Sequence, residues 1–251
     1  MRLTVLGAGP AYTDRPGATG ASYLVSLGGT HLLLDLGQGS LPRMFATIVP
    51  TELAAIVVSH LHPDHFIDLV ALRHYLRWQF DPPRRVRVLG PAGLADRLDA
   101  LHGEPGFAAQ SFDTEQLGTD ERLIGALRLR ATLVLHTEES YAIRVAPADG
   151  GPGLVYSGDC GRASDLASIL EPGDALLTEV SFGPGPVPEN VSHLDGPAVG
   201  AFAASSGAGR VLLTHILMGL DPDETVRSVR GHYPGPVAFV WPGTVVDLEN
   251  G

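Results

Sequence analysis

Apolar residues in this chain fall into short runs, each closed by a glycine, a proline or a polar side chain. Runs of about four to eight such residues read as strands, and spacings near 3.6 as helices. Residues 2–6 are predicted as a first strand, followed by a hairpin of residues 21–27 and 31–36 around Gly28-Gly29. Residues 40–48 read as a short helix ended by Pro50. Residues 54–58 form a buried strand, and residues 66–80 a helix broken by Pro82-Pro83. A strand at 86–89 and a helix at 91–101 follow, and 103–116 reads as irregular. Residues 123–135 and 141–145 are predicted as a second hairpin. Strands at 154–157, 175–178, 211–214 and 236–241 then alternate with helices at 163–170, 194–206 and 223–232. Hairpins followed by βα units, twice over, predict an α/β protein whose two similar halves pack into one domain, residues 1–251.

What closes the runs matters more than the runs. The stretch LAAIVVSHLHPDH, residues 53–65, ends an apolar strand with His60, His62, Asp64 and His65. Imidazoles and carboxylates at this density suit zinc or another divalent first-row metal. One loop cannot close all of these groups around one ion without strain, so two neighbouring ions sharing it is the easier geometry. His136, Asp159, Glu179 and His215 also stand just past the ends of apolar strands, where α/β proteins build their sites. The economical assignment puts His60, His62 and His136 on one ion, Asp64, His65 and His215 on the other, and Asp159 between them. Two such ions would activate a bridging hydroxide and hold both oxygens of a displacement. The residual positive charge favours an anionic phosphodiester, or a carbonyl that becomes an oxyanion. His193, in VSHLDG, is left for general-acid work or oxyanion donation, with Glu179 orienting it. The expected catalytic set is therefore Asp64, Glu179 and His193.

Other features carry less chemistry. Gly7-Ala8-Gly9 lacks the third glycine of a dinucleotide fingerprint, since Tyr12 stands there, and reads as a connector. His31, His74, His102 and His232 read as structural, Cys160 as a small packed residue, and Arg73 and Arg77 as a solvated helix face. Composition is that of a globular protein, 44% hydrophobic and 18% charged. No apolar run reaches the roughly 18 residues of a membrane span. A strand-like opening without signal-peptide layout and a single cysteine predict a cytoplasmic setting. All 17 basic residues are arginine, and the net charge of −11 argues against a broad nucleic-acid surface. It leaves room for a small anionic substrate, because bound metals change the local sign.

At these residues the chain resembles the metallo-β-lactamase superfamily, and within it the ribonuclease Z-like branch. The matching stretches are RLTVLGAG, LLLDLGQG, SHLHPDH, His136 followed by ESYAIRV, YSGD at Asp159, LLTEVSF, SHLDG and LLTH at His215. The resemblance implies a four-layer αββα sandwich, a dinuclear site with two zinc ions (manganese or iron being alternatives), and a Glu–His pair at Glu179 and His193. It makes Asp35 a structural aspartate beside the site and suggests a homodimer. Transfer-RNA 3′-processing enzymes of this branch carry a long arm between the positions of His136 and Asp159, and here that interval is short. The chain looks more like the actinobacterial cyclic-nucleotide phosphodiesterases of the same branch. The leading expectation is a phosphodiesterase acting on a small phosphodiester such as a cyclic nucleotide. The alternatives are a tRNA 3′-end endonuclease, a carboxyl-ester, lactone or thioester hydrolase, and a non-catalytic metal-binding regulatory protein.

Overall fold

Apolar runs that never alternate with polar residues belong to strands covered on both faces. The computed structural model, which describes residues 1–248, shows what covers them. Strands β1 (Arg2–Gly7), β2 (Ser22–Leu27), β3 (Thr30–Leu34), β4 (Ala55–Val57), β5 (Val86–Gly90) and β6 (Phe112–Gln116) lie side by side in that order. The first three run antiparallel, and β3 to β6 run parallel. The second sheet is built from β7 (Arg122–Ile124), β8 (Leu127–Leu133), β9 (Tyr141–Pro147), β10 (Leu154–Tyr156), β11 (Ala175–Glu179), β12 (Arg210–Thr214) and β13 (Val237–Phe239), again in chain order. It is antiparallel as far as β10 and parallel beyond. A last strand, β14 (Val245–Asp247), returns to pair antiparallel with β1.

Helices α1 (Leu41–Thr47), α2 (Pro63–Phe66), α3 (Leu69–Trp78) and α4 (Leu94–His102) cover the first sheet. Helices α5 (Gly196–Ser206) and α6 (Pro222–Arg230) cover the second. Three apolar layers result. Leu32 and Leu34 face Leu129, Ile143 and Tyr156 between the sheets. Leu33, Ile56 and Val88 turn outward to Leu69, Leu72 and Leu76. Val155, Leu176 and Leu213 pack against Val199, Ala203 and Val229. This is the expected αββα sandwich. Among the described residues no helix is long and apolar enough to cross a membrane.

Several boundaries differ from expectation. The helix expected at 66–80 is α3, shorter at both ends, and a separate turn of helix, α2, ends at Phe66 just before it. Ile67 and Asp68 keep helical dihedrals at the joint, so the apolar period reads straight through it. Pro63 starts α2 at its first turn, where a missing N–H costs nothing. The segment 103–116 contains an edge strand, β6, with the pattern FDTEQ and only Phe112 buried. No periodicity announces it; pairing with β5 and the Arg85–Asp113 and Arg87–Glu115 ion pairs hold it. The expected strand 123–135 is split into β7 and β8 by a turn at Gly125, whose φ is +57 and where a Cβ would sit 2.2 Å from Thr30 Oγ1. Residues 163–168 are 3₁₀ rather than α-helical. The strand at 237–239 is not the last, because β14 follows.

Candidate metal centre

Every ligand-type residue singled out from the sequence arrives at the same end of the sandwich. β4 delivers Ser59 and His60, and the turn into α2 delivers His62, Asp64 and His65. The second sheet delivers His136 after β8, Asp159 after β10, Glu179 at the end of β11 and His215 after β12. His215 (φ +56) and Asp35 (φ +59) occupy the left-handed region, which is sparsely populated by non-glycine residues and concentrated at functional sites.

Three groups of ligand atoms form, each lying within 4.8 Å of one another: His60, His62, His136 and Asp159 in the first, Asp64, His65, Asp159 and His215 in the second, and Asp159, Glu179 and His193 in a third. In the first, His136 Nε2 is 3.1 Å from His62 Nδ1. Asp159 Oδ2 lies 3.8 Å from His60 Nε2 and 3.6 Å from His136 Nε2. In the second, Asp159 Oδ1 lies 3.3 Å from His65 Nε2 and 3.4 Å from His215 Nε2. Asp64 Oδ2 closes this group at 3.2 Å from His215 Nε2 and 3.8 Å from His65 Nε2. A tetrahedral ion with bonds of about 2.0–2.1 Å separates its ligand atoms by roughly 3.3 Å, so these spacings fit a first-row divalent metal. Asp159 turns one oxygen to each of these two groups.

The imidazole tautomers agree. His65 Nδ1 donates to Asp35 Oδ2 at 2.7 Å, and His136 Nδ1 donates to the carbonyl of Ser192 at 2.8 Å. Ser59 Oγ gives its proton to Asp35 and so accepts from His60 Nδ1. Ser181 Oγ gives its proton to the carbonyl of His215 and accepts from His215 Nδ1. In each case Nδ1 carries the hydrogen, and the Nε2 lone pair faces Asp159. His60 Nε2, His65 Nε2 and Asp159 Oδ1 are buried without any hydrogen-bond partner. Buried polar atoms are rarely left so, and a cation in each of these two groups would satisfy them: His60 Nε2 in the first, His65 Nε2 and Asp159 Oδ1 in the second.

The electrostatics point the same way. Burial alone would raise the Asp159 carboxyl, but the imidazoles of His215 and His65 hold it well below the carboxylate range. Burial would lower His65, yet the carboxylates of Asp159 and Asp35 draw it well above its ordinary value. His60 falls well below, through burial and the neighbouring His65. The carboxylates of Asp159 and Asp35 thus make the buried pocket around His65 favourable to positive charge.

In the third group, His193 Nδ1 donates to Glu179 Oε1 at 2.8 Å and lies 4.0 Å from Asp159 Oδ2. Burial would lower His193, but the hydrogen bond and charge of Glu179 outweigh it and the net shift is upward. Glu179 is itself held by the backbone N–H groups of Cys160, Ser181 and Leu194. A cavity of about 430 Å³ opens over Asp64, Asp159, His193 and His215, walled by Tyr12, Phe182, Val191 and Leu217.

Some residues stand elsewhere than expected. Arg73 is not solvated: it is 3% exposed, donates to the carbonyl of Phe107 and stacks 4.1 Å over that ring. Arg77 rests on Trp78, and neither arginine lines the cavities beside the cluster. His31 bonds Ser26, and His74 and His102 pack on Phe107. Cys160 is buried, its thiol pushed up to about 12 by burial. The Pro10–Tyr12 wall had no readable signal beyond the Gly-Pro that opens it. Ser59 and Ser181, which set two of the tautomers, are ordinary serines in sequence.

A model of the beta-lactamase superfamily domain matches residues 33–216. The chain belongs to this superfamily. ML1173 of Mycobacterium leprae (strain TN), an uncharacterized protein, is 30% identical over 99% of this chain and 89% of its own length. A ribonuclease Z of Mycolicibacterium paratuberculosis is 27% identical over 88% of this chain and 87% of its own. YhfI of Bacillus subtilis, a probable metallo-hydrolase, is 25% identical over 97% of this chain. Its crystal structure superposes with a TM-score of 0.86 at 22% identity, covering 98% of both chains. The metallo-β-lactamase superfamily member described here thus falls in the ribonuclease Z-like branch, and it is a metallo-hydrolase whose His/Asp clusters suit divalent ions.

Proposed function

We propose that this metallo-hydrolase is a phosphodiesterase acting on a small phosphodiester such as a 3′,5′-cyclic nucleotide. His60, His62 and His136 would hold one ion, Asp64, His65 and His215 a second, with Asp159 shared. Zinc is the favoured metal, because nitrogen and carboxylate ligands at tetrahedral spacing suit it. Bound there, the ions would supply a water nucleophile ionised near neutral pH and positive charge for the phosphoryl oxygens.

The observation that carries the reading is the Glu179–His193 pair. Glu179 takes up Nδ1 of His193, which leaves Nε2 for the cavity that His193 lines, and Glu179 favours the protonated ring. A protonated imidazole there can donate to the oxygen that leaves phosphorus. The walls of Tyr12, Phe182, Val191 and Leu217 are apolar enough to take a planar base and to limit water. The interval between His136 and Asp159 is filled by β9, β10 and their turn, with no arm for gripping a transfer RNA.

The test is hydrolysis of bis(p-nitrophenyl) phosphate and of 3′,5′-cyclic AMP by metal-loaded protein and by His193→Ala. Both should be turned over, and the variant should lose about 10²- to 10⁴-fold in kcat at unchanged metal content. Turnover of neither diester by protein holding its metals would refute the reading and direct the search to esters, lactones and thioesters. Efficient cleavage of a precursor tRNA would replace it with the endonuclease reading.

A further inference from the structure

A second cavity, of about 460 Å³, adjoins the cluster, and the two cavities share His62 and no other residue. Both volumes fall in the range of about 300–1,000 Å³ typical of small-molecule sites. Their walls differ in kind. The first is apolar around Tyr12, Phe182, Val191 and Leu217. The second is lined by Arg97, Thr137, Glu138 and Glu139. Glu139 belongs to the wall, tied down by the N–H of Ala92, by Gln116 Nε2 and by the Tyr141 hydroxyl. Arg97 and Glu138 are exposed, and among the described residues no hydrogen bond or ion pair engages either side chain. One offers donors and the other acceptors to the same cavity.

A 3′,5′-cyclic nucleotide carries a single nucleoside and can fill only one cavity. A diester with a nucleoside at each end needs two, one on each side of the reacting phosphorus. We propose that the second cavity seats a second nucleoside, so that the favoured substrates are dinucleoside monophosphates held across the metal cluster. This rests on the phosphodiesterase reading of the same centre and narrows it. The apolar cavity takes one base by its faces. In the polar cavity Glu138 accepts from the ribose hydroxyls, and Arg97 donates to ribose or base acceptors. Two carboxylates beside one guanidinium disfavour an additional phosphate there, so the second arm is neutral. In the reaction a water oxygen bonds to phosphorus, the bond to one nucleoside oxygen breaks, and that oxygen leaves as an alcohol with the proton from His193. The products are one nucleoside and one nucleoside monophosphate.

The experiment compares kcat/KM for adenylyl-(3′→5′)-adenosine and for 3′,5′-cyclic AMP in metal-loaded protein. It is repeated with the Arg97→Ala/Glu138→Ala double variant and with Ala92→Trp, which plugs the second cavity from its rim. The wild type should prefer the dinucleoside. Each variant should lower its kcat/KM about tenfold or more, chiefly through KM, and change that for cyclic AMP by less than about twofold. Equal losses on both substrates, no loss on either, or a wild type that prefers cyclic AMP would overturn the proposal while leaving the phosphodiesterase reading intact. If neither these diesters nor bis(p-nitrophenyl) phosphate are hydrolysed, the phosphodiesterase reading falls, and this one with it.

Discussion

Asp35 makes no contact with the proposed ions, yet Asp35→Asn should weaken one of them selectively. The carboxylate is fully buried, and donors converge on it from both halves of the molecule. Oδ1 accepts from the N–H of Ser59 at 2.7 Å. Oδ2 accepts from Ser59 Oγ at 2.8 Å, from His65 Nδ1 at 2.7 Å and from the Tyr156 hydroxyl at 2.7 Å. Asparagine has the same shape and tolerates the left-handed backbone at this position, so the substitution removes charge and one acceptor and little else. The better amide orientation keeps its oxygen toward the Oδ2 donors and turns its NH₂ against the Ser59 N–H. That leaves two buried donor groups facing each other, the Ser59 N–H and the new NH₂, at about 1–3 kcal/mol each, and demotes the remaining bonds from charge-assisted to neutral, about 1 kcal/mol each. Relief from burying a charge offsets part of this, and a net stability loss of about 1–3 kcal/mol remains. The effect on metal is more specific. His65 loses the anion that orients its ring and makes Nε2 basic. Losing such a partner costs about 10- to 100-fold in metal affinity, or roughly 1.4–2.7 kcal/mol. The His60, His62 and His136 group has no direct bond to Asp35 and should keep its affinity. Zinc titration of metal-free protein against a chromophoric chelator resolves the two steps. One step should weaken by the stated factor and the other stay within about twofold. Two unchanged affinities, or two that fall alike, would refute the argument.

Glu179→Gln keeps the shape of the His193 partner, but its NH₂ must face either His193 or the N–H groups of Ser181 and Leu194. Diester turnover should fall on the order of 10²-fold in kcat, with KM and bound metal, read by atomic emission, little changed. Arg15 donates to the carbonyls of Ile216, Leu217 and Leu220, and so staples the Pro10–Tyr12 wall to the loop after His215. Arg15→Ala should raise KM about fivefold, since about 1 kcal/mol of wall order is lost, at constant metal stoichiometry. Removing the ions with a chelator should lower Tm by roughly 5–10 °C, because occupancy at a hundredfold excess over Kd contributes about 2.7 kcal/mol and a chain of this size shifts about 2–4 °C per kcal/mol; an unchanged melting curve would mean that the clusters do not bind metal.

Legibility from sequence followed burial. β3, β4, β10, β11 and β12 lie between layers, so their sequences are continuously apolar, and a histidine or carboxylate just past such a run stands out. β6 and β14 lie at the edges of the first sheet with mostly exposed side chains; β6 is polar after Phe112 and β14 is only three residues long, so neither carries a period to detect. The break between α2 and α3 was invisible for the opposite reason, since the backbone at Ile67 and Asp68 stays helical while the chain turns. At the site, the ligand types were readable because no other chemistry explains them. Their supports were not. That Ser59, Ser181 and the carbonyl of Ser192 decide which nitrogen of a histidine is bare depends on contacts as distant as His136 with Ser192. Tyr156 reaches Asp35 across 121 positions. Arg73 looked solvated because helical spacing shows which face a residue takes, and not that the 3₁₀ turn at Ala108–Gln110 and its flanking Phe107 come back over that face.

The site is a property of the seam between the sheets and of neither half alone. His60, His62, Asp64 and His65 come from the first sheet, and His136, Asp159, Glu179 and His215 from the second. The same end of the seam is tied by backbone bonds from Tyr141 to Ser59 and from His215 to Ala8, and by the Tyr23 hydroxyl on Thr214 Oγ1 at 2.6 Å. Docking the sheets therefore brings the ligand atoms to tetrahedral spacing, and it desolvates the Asp159 carboxylate and the imidazoles of His60 and His65. The cost of that desolvation is met by sheet packing, through the apolar layer of Leu32, Leu34, Ile143 and Tyr156. Of His60, His62, Asp64 and His65, His62 alone is exposed, and it lines both cavities. Asp159, buried at the seam, turns one oxygen to the His136 group and the other to the His65 group, and the walls of Tyr12, Val191, Arg97 and Glu138 stand around it at the surface.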